Sequence, residues 1–281
     1  CPFSALAEDG GGGQLPGGTF QMGGGGRSGE EVPAREGGGE PFALDKHPVG
    51  GGGFRTCWGG GGDFVREKKY KGGGGAFGWS FVFEGGGGEE LKKKVTQKGG
   101  GDLNPMMSLS APWWLGGGGT FWRQPSGPGS SMGGGVDYPV LHVSWGGGGA
   151  FCAWQGKRRG GGEEWEFAAR GGGGGAVAQG GGEQDLGLFL CWGGGGFPQG
   201  DFPQGGGGGD GYHGVSPVTG GGAQNSYGLY GGGGNTWEWT ASEWGGGGRA
   251  PRAQKMQGGG GASWIDTADG GGGGRARVTT R

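Results

Sequence analysis

The chain has 281 residues, 93 of them glycine and 14 proline, with a formal net charge of −2. Collagen is excluded because the glycines follow no Gly-X-Y period, and the 13 Trp and 14 Phe argue against a disordered polar chain. The small net charge argues against nucleic acid as a partner. No apolar run approaches the about 20 residues that span a bilayer, so no membrane association is expected.

Short apolar segments separated by glycine blocks set the expected elements of the first half of the chain. The spacing of Phe64 and Tyr70 predicts a helix over residues 63–70, DFVREKKY. The β-branched and aromatic residues of 77–84, FGWSFVFE, predict a strand. The lysine-rich stretch 91–98 is interpreted as a solvated surface segment.

The second half continues with the same kind of short element. Residues 138–145, YPVLHVSW, alternate as a strand does. A short helix is predicted over 150–157, ended by Gly156, and a longer one over 163–170, EEWEFAAR. The pattern predicts one mixed α+β domain with short elements and much irregular structure.

His142 and Ser144 would share one face of the predicted strand 138–145, with Asp137 near them. A base and a nucleophile could meet in this way. A hydrogen-bonded core histidine is the preferred interpretation, because spacing along one strand does not establish a catalytic triad.

The four cysteines, Cys1, Cys57, Cys152 and Cys191, stand far apart in the sequence. No CxxC pair occurs, which argues against a zinc cluster or a thioredoxin-like motif. Aromatic or apolar residues flank each cysteine, a context typical of buried structural thiols or disulfide partners.

Glu238 lies between Trp237 and Trp239 in the segment NTWEWT. A strand would place both indoles on one face and the carboxylate on the other. A carboxylate among aromatic side chains needs a partner, and arginine, backbone amides or a hard cation such as calcium would serve. The tryptophans are either core residues or surfaces on which a sugar ring or a peptide stacks.

Taken together, these segments resemble the formylglycine-generating enzyme family. FGWSFVFE, PWWL, FWRQPSGPG, PVLHVSW, CAWQGKR, EEWEFAARG, YGLY with NTWEW, and ASWIDTADG stand in the family's order. DFVREKKY and WIDTADG are most similar to an inactive vertebrate paralogue in that family. The resemblance implies a compact, irregular α+β domain over residues 14–281, related to C-type lectin-like domains, after an N-terminal tail over 1–13 and with the family's C-terminal segment cut short.

The glycine blocks keep the family's spacing between these segments. PV-GGGG-F, SW-GGGG-AFC and YGLY-GGGG-NTWEW each hold the number of residues that the family has there. The blocks are therefore interpreted as in-register replacements of family residues, and not as linkers.

The family's oxidase uses two cysteines five residues apart to convert a cysteine of newly made sulfatases to formylglycine. The aligned positions are Asp266 and Gly271, and neither residue can form a thiolate. Ser263 and Trp264 match the family's loop beside them. The resemblance thus implies no catalytic residue, and a binding cleft lined by Trp237, Ser263, Trp264 and Asp266.

Calcium is the cofactor that the resemblance implies. The implied ligand positions are Gly231, Gly234, Thr236 and Glu238 in one site, and Asp210, Tyr212 and Cys191 in a second. Glu238 matches the family outright, whereas Gly231 and Cys191 lack the side-chain oxygen expected at their positions. The first site is thus expected to be weakened, and the second is expected to be incomplete.

The implied function is that of a non-catalytic protein of the endoplasmic reticulum lumen. Its implied partners are sulfatase polypeptides and the active formylglycine-generating enzyme, whose action on sulfatases it would restrain, and a second copy of itself.

The chain stops before the segment that holds the family's disulfide partner of Cys152, so Cys152 is expected to be unpaired or mispaired. Two alternatives stay open: a residual oxidase, or another activity of Asp266 and Asp269, and a carbohydrate-binding lectin-like module.

Overall fold

A computed structural model describes residues 3–4, 12–23, 35–55, 64–70, 77–97, 113–131, 137–171, 212, 214–220, 225–231, 234–244 and 256–261. These residues belong to two compact units, one formed from 1–49 and 149–281 and the other from 50–148. Both units combine helices and strands, so the predicted mixed composition is confirmed. The predicted boundaries between a tail over 1–13 and a domain over 14–281 stay a prediction.

Among the described residues, antiparallel strand pairs and the helix that packs on them form most of the first unit. Its strands are β1 (Phe3–Ser4), β2 (Gly12–Leu15), β3 (Gly18–Met22), β4 (Arg35–Gly39), β5 (Phe42–Asp45), β8 (Glu238–Trp244) and β9 (Met256–Gly260). The order β1-β5-β2 forms a three-stranded sheet, while β3 pairs with β4 and β8 pairs with β9. The helix α5 (Gly162–Ala169) packs on these strands through Trp165 and Ala168.

The core of this unit lies between α5 and the sheet β1-β5-β2. The buried side chains in contact are Leu15, Phe42, Leu44, Trp165, Ala168 and Leu229. Trp165 and Ala168 are three residues apart and therefore lie on one face of the helix, as the sequence pattern predicts.

Short elements also make up the second unit. They are α1 (Gly51–Arg55), α2 (Phe64–Glu67), β6 (Trp79–Phe83), a 3-10 turn (Glu84–Gly86), α3 (Glu89–Gln97) and β7 (Trp114–Gly118). β6 and β7 form an antiparallel pair. Phe54 packs edge-on against Phe64 and Trp122, with ring centroids 5.4 Å apart in both pairs. The helix α4 (Trp145–Trp154) begins in the sequence of this unit and ends in that of the first.

Most predicted elements are present, with shifted bounds. The helix predicted over 163–170 and the strand predicted over 77–84 correspond to α5 and β6. The helix predicted over 63–70 is shorter, and Tyr70 follows it with its ring 5.2 Å from that of Phe64. The lysine-rich stretch 91–98 falls mainly in α3, where Leu91 is buried and Lys93 is exposed.

The strand predicted over 138–145 is wrong. Only an isolated bridge forms there, between Pro139 and Gly50, and His142 adopts φ +58°, which interrupts an extended conformation. Ser144 then caps α4, because the backbone N–H of Gly147 donates to its Oγ at 3.2 Å. The alternation of apolar residues that indicates a strand here is thus overridden by a helix start. Gly156, at φ +70°, follows the end of α4 as predicted.

Within the part of the chain that the structure describes, no helix combines the length and the apolar character needed to cross a membrane.

The glycine block in α4 gives a first prediction. A Cβ at Gly146 would meet no atom of the described structure within 4 Å, so Gly146→Ala is expected to raise the free energy of unfolding by about 0.5 kcal/mol through the lower backbone entropy of the unfolded chain. Thermal unfolding measures this gain. Gly147→Ala is the matched control, since its Cβ would lie 2.4 Å from the Tyr70 hydroxyl, and it should gain less or lose stability. An equal gain in both variants would contradict the packing described here.

Candidate functional site

At the start of the strand β8, two exposed indoles flank a buried carboxylate. Trp237 and Trp239 are each 42% exposed, whereas Glu238 is 8% exposed. The pairs Glu238↔Gly260 and Trp239↔Gly259 fix this register against β9. The alternation predicted for the segment is confirmed, and Trp237 lies at an accessible surface.

Glu238 has a partner that the sequence analysis missed. The indole Nε1–H of Trp165 donates to its Oε2 at 2.6 Å. Burial raises the pKa of Glu238 to about 7, and the bond from Trp165 opposes that rise by favouring the charged form. Trp165 is itself packed against β9, because a Cβ at Gly260 would lie 2.8 Å from its ring. The carboxylate is therefore held between α5 and the β8–β9 pair.

Tight turns form the segment that leads into β8. The Gly231 carbonyl accepts from the N–H of Gly234 at 3.5 Å, and the Gly234 carbonyl accepts from the N–H of Thr236 at 2.8 Å. Gly231 has φ +74°, and a Cβ there would lie 2.5 Å from the ring of Pro48. A residue with a side chain at 231 would thus require the backbone of this turn to move.

Asn235 fixes this segment to residues 214–220, and it was also missed. Its side chain accepts from the N–H of Ser216 and donates to the carbonyl of Ser216, both at 2.9 Å. Asn235 is buried and has φ +69°, a conformation that asparagine adopts more readily than most residues. Its place after a glycine block and before a strand was the signal for a turn residue with a structural side chain.

The chemistry of the first implied ligand set fits calcium. A carboxylate and backbone carbonyls are the hard oxygen donors that calcium takes, and Glu238, Gly234 and Thr236 supply them, whereas Gly231 lacks the side-chain oxygen implied at its position. A cation would offset the cost of burying the Glu238 charge. No group of three or more His, Cys, Asp and Glu side chains able to hold a metal occurs among the described residues, so any site here depends on carbonyl oxygens.

The remaining predicted site residues cannot be placed together. Tyr212 is described and is partly buried. Outside the described residues lie Asp210 and Cys191 of the second implied calcium set, and Ser263, Trp264, Asp266 and Gly271 of the implied binding loop.

His142 and Ser144 do not form a nucleophile and base pair. The His142 Nε2–H donates to the carbonyl of Pro125 at 2.9 Å, and Nδ1 lies 2.8 Å from the hydroxyl of Ser80. Because a carbonyl only accepts, Nδ1 is the acceptor in the neutral ring. Ser144 caps α4 and approaches the Tyr70 hydroxyl at 3.4 Å. The interpretation of His142 as a hydrogen-bonded histidine is confirmed, although its side chain is half-buried rather than fully in the core.

Burial of His142 gives a pH prediction. Burial lowers the pKa of His142, although its bond to Pro125 opposes this, so the unfolded chain protonates first, from about pH 6.5 downward. The stability of the second unit should therefore fall as the pH decreases from about 7.5 to about 5.5. Urea unfolding at both values is expected to show a smaller fall in His142→Asn, since asparagine tolerates the positive φ and does not titrate.

His47→Asn is the control for this comparison. Burial also lowers the pKa of His47, but its ring is less buried, so the variant should change the pH dependence less than His142→Asn does. The raised pKa of Glu238 acts in the opposite sense, favouring the fold at lower pH, and it cancels in the comparison because each variant retains it. An unchanged pH dependence in His142→Asn would contradict the prediction.

Cys152 is buried in α4 and is disulfide-bonded. The expectation that Cys152 is unpaired is thus wrong, and the expectation of mispairing stays a prediction. The other three cysteines lie outside the described residues.

Comparison with known proteins gives a family match and several relatives. Residues 13–277 match the family described as the sulfatase-modifying factor enzyme 1-like domain. A Bos taurus protein named inactive C-alpha-formylglycine-generating enzyme 2 is 48% identical over 234 residues, which cover 82% of this chain and 70% of that protein. The Mus musculus protein of the same name is 46% identical over 288 residues, covering 100% of this chain and 83% of that protein. A formylglycine-generating enzyme of Thermomonospora curvata is 36% identical over 245 residues, covering 82% of this chain and 70% of that protein.

Proposed function

Because the chain belongs to the sulfatase-modifying factor family, we propose that it is a non-catalytic member that binds sulfatase polypeptides, the active formylglycine-generating enzyme, or both. Through this binding it restrains the activation of sulfatases. The observation that carries the proposal is the residue Asp266, which the resemblance aligns with the first catalytic cysteine of the family's oxidase.

The loss of catalysis follows from the side chain at that position. An aspartate cannot form the thiolate that performs thiol–disulfide exchange or binds a soft metal ion. Gly271, at the second position, has no side chain at all. The two relatives at 46% and 48% identity both carry the word inactive in their names, which supports the same conclusion: this chain is not an enzyme.

Trp237 supports the binding half of the proposal. It is exposed and directly precedes β8, at a position that the resemblance assigns to the cleft. Exposed tryptophans supply large contact areas at protein interfaces at little cost in conformational entropy. Homodimer formation is a further proposal for this surface.

The endoplasmic reticulum lumen is the proposed location and calcium the proposed cofactor. The disulfide bond of Cys152 supports an oxidising compartment. The buried carboxylate of Glu238 and the carbonyls of Gly234 and Thr236 support a calcium ion at the start of β8.

An oxidation assay tests the proposal. The chain, oxygen and a sulfatase-derived peptide with its cysteine are incubated together, and mass spectrometry is expected to find no formylglycine. The Thermomonospora curvata enzyme is the positive control. Added to that enzyme or to another active family enzyme, the chain is expected to lower the yield of aldehyde, whereas an equal amount of serum albumin does not. Aldehyde formed by the chain alone would refute the loss of catalysis, and an unchanged yield would refute the restraint.

Carbohydrate binding is a second candidate, favoured by the exposure of Trp237 and Trp239 on one face. Binding to a glycan array should then be weakened by Trp237→Ala. Glycan binding that neither this substitution nor calcium chelation changes would argue against a sugar site on β8.

A further inference from the structure

We propose that Trp165 is a positioning residue for a cation at the start of β8, because its indole N–H fixes the orientation of the Glu238 carboxylate. The inference deepens the calcium proposal and rests on it. Trp165 is 73 residues from Glu238 in the sequence, and nothing in the NTWEW segment indicates the pairing.

The contact has the features of a strong hydrogen bond. The two atoms are 2.6 Å apart, both side chains are buried, and the acceptor is a carboxylate. Hydrogen bonds to an ionised group are shorter than those between neutral groups and about twice as strong. The bond occupies Oε2 of Glu238 and limits rotation about the last torsion of that side chain.

Trp165 is itself immobilised by packing. It belongs to the core cluster that includes Leu15 and Phe42, and its ring lies against Gly260 of β9. The indole N–H of Trp165 therefore cannot move with a rotating carboxylate. The packing of the core thus fixes the orientation of the Glu238 carboxylate. A ligand that is ordered before the ion arrives loses little conformational entropy on binding.

Groups that hydrogen-bond to metal ligands typically contribute about 10–100-fold to metal affinity. Removing the indole N–H while leaving an aromatic ring isolates this contribution. Trp165→Phe does so, with some loss of core packing. Phe42→Leu is the matched control, because it reduces the same cluster and leaves the bond between Trp165 and Glu238 in place.

The test measures calcium affinity by isothermal titration with calcium chloride in four proteins. Trp165→Phe is expected to bind calcium about tenfold more weakly than the wild type, or weaker still. Phe42→Leu is expected to bind within about twofold of the wild type, despite a lower melting temperature. Glu238→Gln is expected to abolish binding at this site, since it removes the charged ligand.

A spectroscopic measurement covers the case in which Trp165→Phe does not fold. In the wild type, the NMR signal of the Trp165 indole N–H is expected to move when calcium chloride is added, whereas that of Trp122, in the other unit, is not. Equal calcium affinity in the wild type and a folded Trp165→Phe would overturn the positioning role, as would an indole signal that calcium leaves unchanged.

The failure of the calcium proposal gives a different result. A wild type that does not bind calcium, or Glu238→Gln with undiminished affinity, removes the cation and overturns the positioning role with it. Binding of the sulfatase-derived peptide is measured separately in calcium-free buffer. Loss or retention of that binding reports on the proposed function and not on Trp165.

Discussion

Replacing Glu166 by alanine is expected to lower the free energy of unfolding by about 3–5 kcal/mol, a large part of the about 5–15 kcal/mol typical of a folded domain. Glu166 is 1% exposed. Its Oε1 accepts from the N–H of Gly23 at 2.8 Å and from the guanidinium of Arg170 at 2.6 and 3.0 Å. Arg170 also donates to the Gly23 carbonyl at 2.9 Å, so the pair fixes α5 to the end of β3.

The size of the effect follows from what the substitution leaves behind. Without Glu166, the guanidinium of Arg170 and the N–H of Gly23 lose their acceptor in a buried position, and desolvation without compensation dominates the loss. Urea unfolding, followed by tryptophan fluorescence, measures it. Arg170→Met with Glu166→Leu is expected to recover much of the loss, because apolar side chains replace both charges.

Glu163→Ala is the matched control on the same helix. Glu163 pairs with Arg35 at 2.6 Å, but both side chains are exposed to solvent, so the expected change is only about 0–1 kcal/mol. Similar losses in the two alanine variants would show that the buried contact does not stabilise the fold as described.

Trp237→Ala is expected to weaken the binding of a sulfatase-derived polypeptide by about 30-fold, which corresponds to about 2 kcal/mol. Large aromatic side chains that a partner covers are the residues that contribute most at interfaces. Trp237 is exposed and directly precedes Glu238, at a position that the resemblance assigns to the cleft. Fluorescence anisotropy with a labelled peptide measures the change.

Phe77→Ala serves as the control for the binding experiment. Phe77 is 80% exposed and lies in the second unit, outside the predicted cleft, so peptide affinity should be unchanged. Equal losses from Phe77→Ala and Trp237→Ala would point to non-specific apolar binding, and no loss from Trp237→Ala would remove Trp237 from the interface.

Several features of the fold follow from local sequence alone. Helical spacing of Trp165 and Ala168 predicts the buried face of α5, and alternation in NTWEWT predicts that the two indoles and the carboxylate of Glu238 lie on opposite faces. These predictions succeed because side-chain direction in a helix or strand is fixed by its period. The failed strand over 138–145 shows the limit, since the cap at Ser144 and the positive φ of His142 are local choices that alternation does not encode.

In the candidate site, too, some features follow from the sequence and others depend on the tertiary structure. The sequence by itself determined the family, and the resemblance aligns Asp266 with the catalytic thiol of the family's oxidase, because both depend on residue identity in order along the chain. Only the tertiary structure decided that Trp165 bonds to Glu238 and that Glu166 bonds to Gly23, across 73 and 143 residues. A buried carboxylate must find a donor, but which donor it finds depends on how distant elements pack, and no local period carries that information.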